Sequence, residues 1–367
     1  MNTRHRPSFA HSRAISNTAN PAPHAAVVGA GMAGIACART LMQAGWRVTV
    51  FETASQVGGR MAVCDSPFGS FDSGAQYFTV RDARFEQALT QTAPGLARRW
   101  SANAVRVLDE HGRVVETALP ARESHWVPAP DMNALLRHWA APMIDQGHVH
   151  LSTQVRAIAP DALQSGRWQL LTQGEGDDHP VHAGFDATLL AVPAATARQL
   201  LAHAGAPALA DAMRAVQVAP CWTLMLAFPQ AAQPGLYTLG PQWNAARSTH
   251  HRIAWLARES SKPGRGAIER WTVQANPVWS REHAGDDAAR VTAKLLKAFA
   301  EVTGIRAAPG WAQAVLWPAA QTITPLGQPC LWQHDQGLGA CGDWCLGHRV
   351  EDAFVSGLEL ALRVVGR

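Results

Sequence analysis

The stretch VVGAGMAG, residues 27–34, constrains the fold of this chain more than any other feature. An apolar run leads into it, and apolar residues at helical spacing follow it. We therefore predict a strand that turns at Gly29, with Gly31 open to a pyrophosphate and Gly34 allowing the next helix to pack closely. Glu52 ends the next β-branched run and is placed to accept hydrogen bonds from a ribose diol. A β-α-β unit that binds FAD or NAD, rather than NADP, is expected.

Composition excludes several other classes of protein. With 47% hydrophobic and 16% charged residues among 367, the chain can bury large cores and is expected to form more than one domain. The net charge of +4 is dispersed, so we expect no nucleic-acid surface, and no apolar run is long enough to span a membrane. The six cysteines include no C-x-x-C pair, which favours a cytoplasmic location. Residues 1–24 are polar and are expected to be a disordered tail.

The segment after Glu52 helps to decide whether the cofactor is FAD or NAD. ETASQVGGRMA places two glycines and Arg60 where the chain can approach a dinucleotide and a guanidinium can neutralise phosphate charge. Here the sequence resembles the flavin-dependent amine oxidase superfamily, in which an acid followed by G-G-R is a recurring FAD signature. FDSGAQYFTVRDARF, residues 71–85, narrows the resemblance to the renalase-like branch. The blocks IAWLARESSKPGR, ERWTVQANPVWSREH and GDWCLGHRVEDAFVSG extend it from about residue 25 to the end of the chain.

This resemblance implies an α/β fold with non-covalent FAD. A discontinuous Rossmann-type FAD-binding domain is expected over residues 25–75, 130–195 and 310–367. A smaller α+β substrate domain with a mainly antiparallel sheet is expected over residues 76–129 and 196–309. The residues implied in cofactor binding are Gly29, Ala30, Gly31, Met32, Ala33, Gly34, Glu52, Gly59, Arg60, Met61, Gln76, Tyr77, Val155, Gly342, Asp343, Arg349, Val350 and Glu351.

The C-terminal stretch CGDWCLGHRVEDAFVSG, residues 341–357, admits several interpretations. A zinc site is disfavoured because no second Cys/His pair follows at a familiar spacing, so no metal is expected. A redox disulfide and covalent flavin attachment through Cys345 are weaker alternatives than a second FAD motif. In that motif Gly342 allows close approach and Asp343 accepts a hydrogen bond from the ribityl chain or orders water at the pyrophosphate. The helix that follows would direct its N-terminus at the flavin.

The implied chemistry belongs mainly to the cofactor. The resemblance implies hydride transfer to flavin N5 from a small reduced substrate, NAD(P)H or one of its isomers, with oxygen reduced to hydrogen peroxide. Gln76, Tyr77 and His250 are the candidates near the flavin. An amine oxidase or desaturase acting on another small molecule, and a non-catalytic FAD- or NAD-binding protein, remain alternatives. Leu316 and Ala319 replace an arginine and a tyrosine common in relatives, which puts the exact substrate in doubt.

Overall fold

The computed structural model describes residues 22–100, 105–117, 123–174, 179–232 and 243–366. The expected tail over residues 1–24 therefore falls largely outside the described residues. Its predicted end is slightly late, because the first strand begins at His24.

A β-α-β unit opens the described chain, and runs of several strands then separate the helices. The α-helices of the described ranges are α1 (Met32–Gln43), α2 (Ala83–Thr92), α3 (Ala134–Asp145), α4 (Ala194–His203), α5 (Pro207–Ala212), α6 (Pro277–Glu282), α7 (Ala288–Thr303) and α8 (Val350–Val365). The strands of the same ranges are β1 (His24–Val28), β2 (Arg47–Phe51), β3 (Val63–Cys64), β4 (Phe71–Asp72), β5 (Ala97–Trp100), β6 (Val105–Leu108), β7 (Val114–Thr117), β8 (His125–Pro128), β9 (Val149–His150), β10 (Gln154–Pro160), β11 (Trp168–Gln173), β12 (Val181–Phe185), β13 (Ala187–Leu190), β14 (Gln217–Phe228), β15 (Ala245–Ser248), β16 (Ile253–Arg258), β17 (Glu269–Ala275), β18 (Trp311–Thr324), β19 (Leu331–Gln333) and β20 (Leu338–Ala340).

The nucleotide-binding layer is a six-stranded sheet in the order β19-β20-β13-β1-β2-β9. Its central strands run parallel, with β1 paired to both β2 and β13. Gly29 has φ +104°, and a Cβ on Gly34 would lie 1.8 Å from the Gly29 carbonyl oxygen, so both positions require glycine. This contact brings α1 against β1, and α8 packs beside α1 on the same core. The predicted β-α-β unit and α/β fold are confirmed.

The second layer is a seven-stranded sheet in the order β18-β14-β17-β16-β15-β6-β7. Its pairings are antiparallel, as expected, apart from the parallel pair of β15 and β6. Helix α7 covers one face through Val291, Leu295 and Phe299. One predicted boundary differs from this arrangement. Residues 311–324 were expected in the nucleotide-binding domain, but they form β18 and pair along β14, because the long run WAQAVLWPAAQTIT completes the antiparallel ladder.

A fully buried group of charges joins the two layers. Lys262 Nζ lies 2.9 Å from Asp72 Oδ2 and 2.7 Å from Glu259 Oε1, and Arg265 Nη2 lies 2.8 Å from the same Asp72 oxygen. The other Asp72 oxygen accepts a hydrogen bond from Met132 N at 2.8 Å. Burial alone would raise the pKa of Asp72, but the Lys262 and Arg265 charges outweigh it and hold the pKa below its ordinary value. Asp72 is therefore ionised and fixed from both layers.

We predict that Lys262→Met lowers the free energy of unfolding by about 3–5 kcal/mol, because the change leaves buried carboxylates without their central cation. Lys297 lies exposed on α7 and provides the matched control. Lys297→Met should leave stability nearly unchanged in the same denaturant titration. Equal stability of the two variants would contradict the assignment of Lys262 to the join between the layers.

Candidate functional site

A cavity of about 1090 Å³ opens between the carboxyl ends of the parallel strands and the inner face of the antiparallel sheet. Parallel α/β sheets bind nucleotides at this edge. The volume slightly exceeds the ~300–1000 Å³ of most small-molecule pockets, so there is room for a dinucleotide and a second ligand. Predicted site residues that line it are Gly29, Gly31, Met32, Ala33, Glu52, Gly59, Arg60, Met61, Gln76, Tyr77, Gly342, Asp343, Arg349 and Val350.

The N-terminus of α1 fits a pyrophosphate. No side chain caps this end, and its first turn contains no acidic residue that would repel an anion. Gly31 and Gly59 approach each other so closely that a Cβ on Gly59 would lie 3.0 Å from the Gly31 Cα. Side chains at these two positions would occupy the cradle beside the helix. The donor set and the open backbone therefore suit the diphosphate of a dinucleotide.

Glu52 directly follows β2 and lines the cavity. Its carboxylate accepts hydrogen bonds from the backbone N–H of Ala30 at 2.7 Å and of Ala54 at 2.9 Å. A carboxylate has about four acceptor sites, so capacity for a ribose diol remains. Ala30 thus positions Glu52 and is itself not among the residues that line the cavity. Gly34 is also outside the lining, because its role is the close packing of α1 on β1.

Two motifs from opposite ends of the chain meet at an ion pair. Both guanidinium Nη atoms of Arg60 donate to the carboxylate of Asp343, which is 3% exposed. Arg60 also donates to the Ala320 carbonyl at 3.2 Å. The sequence predicted that Arg60 would neutralise phosphate and that Asp343 would accept a hydrogen bond from the cofactor. The structure adds a contact that the sequence did not predict, because neither motif alone specifies its partner.

The start of α8, predicted to face the flavin, lies at the cavity. Val350 and the N-cap residue Arg349 line it, and Asp352 accepts a hydrogen bond from Arg349 N at 3.0 Å. Glu351 differs from the prediction. Its carboxylate accepts hydrogen bonds from the backbone N–H groups of Arg81 and Asp82, and it is 4% exposed. Glu351 therefore anchors the turn before α2 and does not line the cavity.

Gln76 lines the cavity wall with its amide already occupied. Its Nε2 donates to the carbonyl oxygens of Asp72 and Gly74, and its Oε1 accepts from Lys262 Nζ at 3.2 Å. The amide therefore fixes the wall. Tyr77, next along the chain, stacks on His125 with ring centroids 3.9 Å apart and planes at 23°.

Two residues of this wall were missed by the sequence analysis. His125 and Arg247 both line the cavity, but each comes from a short strand with no motif around it. Burial lowers the pKa of His125 below its ordinary value, and Arg247 lowers it further, with Glu123 acting in the opposite direction. The buried Nδ1 of His125 has no hydrogen-bond partner among the described residues. His125 is therefore neutral at neutral pH.

Other sequence candidates lie elsewhere. His250 was expected near the flavin, but it is absent from the cavity lining and lies 3.4 Å from Glu301 Oε2 on α7. The side chain of Val155 is buried in β10, while its neighbour Gln154 lines the cavity. Leu316 packs against the core of the antiparallel sheet, whereas Ala319, the second departure from the family pattern, lines the cavity.

The cysteines of the C-terminal stretch are fully buried and unpaired. All six cysteines of the chain are free, and burial raises the pKa of Cys345 to about 12. Cys345 is not among the residues lining the cavity. Within the described ranges, no three His, Cys, Asp or Glu side chains are grouped to hold a metal ion. In the same ranges, every helix is too short or too polar to cross a membrane.

Comparisons with known proteins agree with this geometry. Residues 27–92 match the NAD(P)-binding Rossmann-like domain model. Hydroxyneurosporene desaturase of Cereibacter sphaeroides is 32% identical over 171 residues, which cover 41% of this chain and 34% of that protein. The chain thus spans about a third of the length of this curated relative.

Two solved structures extend the likeness to nearly the whole chain. A candidate protoporphyrinogen oxidase of Exiguobacterium sp. 255-15 superposes with a TM-score of 0.72 at 12% identity, covering 94% of this chain and 98% of that one. Putrescine oxidase bound to putrescine superposes with a TM-score of 0.67 at 12% identity. The match covers 94% of this chain and 99% of that one. The chain has the fold of these oxidases, built on a Rossmann-like nucleotide-binding domain.

Alanine substitutions at Gly31 and Gly34 should have different effects, the first on dinucleotide binding and the second on folding. Gly31→Ala is expected to fold normally, since the added Cβ would meet only the Gly59 Cα at 3.7 Å, yet it should weaken dinucleotide binding by ~10-fold or more. Gly34→Ala should yield little folded protein, because its Cβ would collide with the Gly29 carbonyl. Gly285→Ala meets nothing within 4 Å and serves as control. Unchanged affinity in folded Gly31→Ala, measured by calorimetry, would argue against the cradle.

Arg247→Gln should raise the pKa of His125, since removing a nearby positive charge makes protonation easier. Proton NMR titration of the ring protons measures this shift, with His125→Gln used to assign the signal. Arg214→Gln, an exposed change outside the cavity lining, should leave the pKa unmoved. If both variants gave the wild-type pKa, Arg247 would not face His125 in solution.

Proposed function

We propose that this chain is a renalase-like FAD-dependent oxidoreductase. The observation that supports it most is the shared cavity, in which the nucleotide-binding ends of β1 and β2 face the aromatic wall formed by Tyr77, His125 and Trp255. A dinucleotide seated on α1 would thus extend toward aromatic residues of the second layer. Bound non-covalently, FAD would supply a hydride acceptor at N5 and the transfer of two electrons to oxygen, giving hydrogen peroxide.

The residues of the nucleotide end would bind and orient this cofactor. Glu52 would accept hydrogen bonds from the adenosine ribose, and the N-terminus of α1 would hold the pyrophosphate. Thr153 N donates to the Glu52 carbonyl at 2.8 Å, which brings the edge strand β10 beside the ribose acid. We assign the adenine contact to the backbone of Val155 on this edge. The start of α8 would stabilise negative charge at the flavin edge that it faces.

Positive charge in the cavity lining favours a reduced nicotinamide nucleotide, such as an isomer of NAD(P)H, as the substrate. Arg247 and Arg349 line the cavity and have no ion-pair partner among the described residues, whereas Glu123 is paired with Arg81. This excess of positive charge suits an anionic substrate. The same charge disfavours a diamine such as putrescine, the ligand of the similar oxidase.

A desaturase is the second candidate, because the chain is similar to hydroxyneurosporene desaturase of Cereibacter sphaeroides. Trp255, Trp317 and Ala275 give the cavity apolar wall that such a substrate needs. A non-catalytic FAD-binding protein is the third. We also propose that the protein works in the reducing cytoplasm, which agrees with its six free thiols.

Rapid mixing without oxygen tests the proposed reaction. Dihydronicotinamide isomers should bleach the visible absorbance of the yellow protein, and admitting oxygen should restore the colour and form hydrogen peroxide. Bleaching by an amine or a polyene alone would support one of the other enzymes. A flavin that none of these donors reduces would contradict the proposed oxidoreductase activity.

A further inference from the structure

One row of side chains crosses the inner face of the antiparallel sheet. Arg247 on β15 lies directly opposite Trp255 on β16, and Trp255 lies opposite Gln274 on β17. Residues directly opposite each other in an antiparallel ladder share a face of the sheet. All three line the cavity. The row therefore presents a cation, an aromatic ring and an amide to one ligand, in that order.

The row has an inner and an outer end. Gln274 Nε2 donates to the Gly74 carbonyl at 2.7 Å, which fixes the inner end beside the turn that contains Gln76. Neighbouring strands are about 4.8 Å apart, so the backbone of Arg247 lies roughly 10 Å from that of Gln274. Arg247 is thus on the opposite side of Trp255 from Gln274.

Aromatic groups complete the middle of the row. The Tyr77 ring lies 5.6 Å from the Trp255 ring and 3.9 Å from the His125 ring, which form a wall of three rings. Such a wall binds planar heteroaromatic groups through their faces.

Arg247 is available for an anion. Its side chain is exposed to the cavity, and in the described part of the chain it makes no ion pair. Glu123, the acid of the lining that together with Arg247 affects the pKa of His125, is already paired with Arg81. A guanidinium binds phosphate through two parallel hydrogen bonds, which gives both affinity and direction.

We propose that Arg247 is a specificity residue that binds the phosphate of a nucleotide substrate while its planar ring packs against Tyr77, His125 and Trp255. The inference rests on the proposed function and adds to it the part of the substrate that the protein recognises. The cavity would thereby distinguish phosphorylated nucleotides from the corresponding nucleosides.

Nicotinamide mononucleotide and nicotinamide riboside differ only in the phosphate and are the probes. Calorimetric titration of the yellow protein should show the mononucleotide binding ~10-fold or more tightly than the riboside. Arg247→Gln should abolish this preference and leave riboside binding unchanged, and Arg247→Lys should retain part of it. Arg214→Gln, whose side chain is exposed and outside the cavity, should keep the full preference.

Equal affinities in the wild-type protein would overturn the proposal, as would a preference that survives in Arg247→Gln. Failure of the proposed function has a different signature. A preparation without the visible absorbance of flavin would contradict the proposed cofactor, while the same titration would still measure whether Arg247 selects phosphate.

Discussion

The carboxylate of Asp72 is the contact on which the rest of the molecule depends. One oxygen accepts a hydrogen bond from Met132 N, two residues before α3, and the other contacts Lys262 and Arg265 from the connection between β16 and β17. Both cations are fully buried at these contacts, so the attraction is little screened by water. The nucleotide-binding sheet and the antiparallel sheet are thus held at a fixed separation, and the cavity is the space between them.

Ion pairs between side chains of the lining then determine which parts of the cavity carry a net charge. Arg60 and Asp343 neutralise each other beside the glycine cradle, which leaves the N-terminus of α1 as the source of positive potential there. Arg81 and Glu123 pair near the opposite wall. Arg247 and Arg349 line the cavity with no ion pair among the described residues, and this positive charge favours anions. The N-terminus of α1 and the side chain of Arg247 are therefore the two parts of the lining that we propose to bind phosphate groups.

The sequence predicted the parts of this site that depend on local patterns. Gly29, Gly31, Gly34 and Glu52 occupy the positions that the glycine spacing implied, because a strand-turn-helix unit is specified within some thirty residues. Gly342 and the start of the helix that follows it also line the cavity. These predictions needed no knowledge of distant contacts.

Long-range pairing explains what the sequence did not reveal. His125 and Arg247 become cavity residues only because their short strands pair with strands distant in the sequence, β8 with β5 and β15 with β6. His250 was expected near the flavin because it lies in the strand-rich section of the sequence, yet it follows β15 and lies 3.4 Å from Glu301 Oε2. Residues 311–324 were predicted to belong to the nucleotide-binding domain. They instead form β18, which pairs with β14 along its length in the antiparallel sheet. Composition and spacing do not encode these pairings.

Identification of the nucleotide released from the purified protein tests the central claim most directly. Acid denaturation followed by chromatography of the supernatant should release FAD in an amount equimolar with the chain. Release of NAD, or of no nucleotide from a colourless preparation that also fails to bind added FAD, would contradict the assignment of the cavity to FAD. Flavin that stays with the precipitated chain would contradict non-covalent binding.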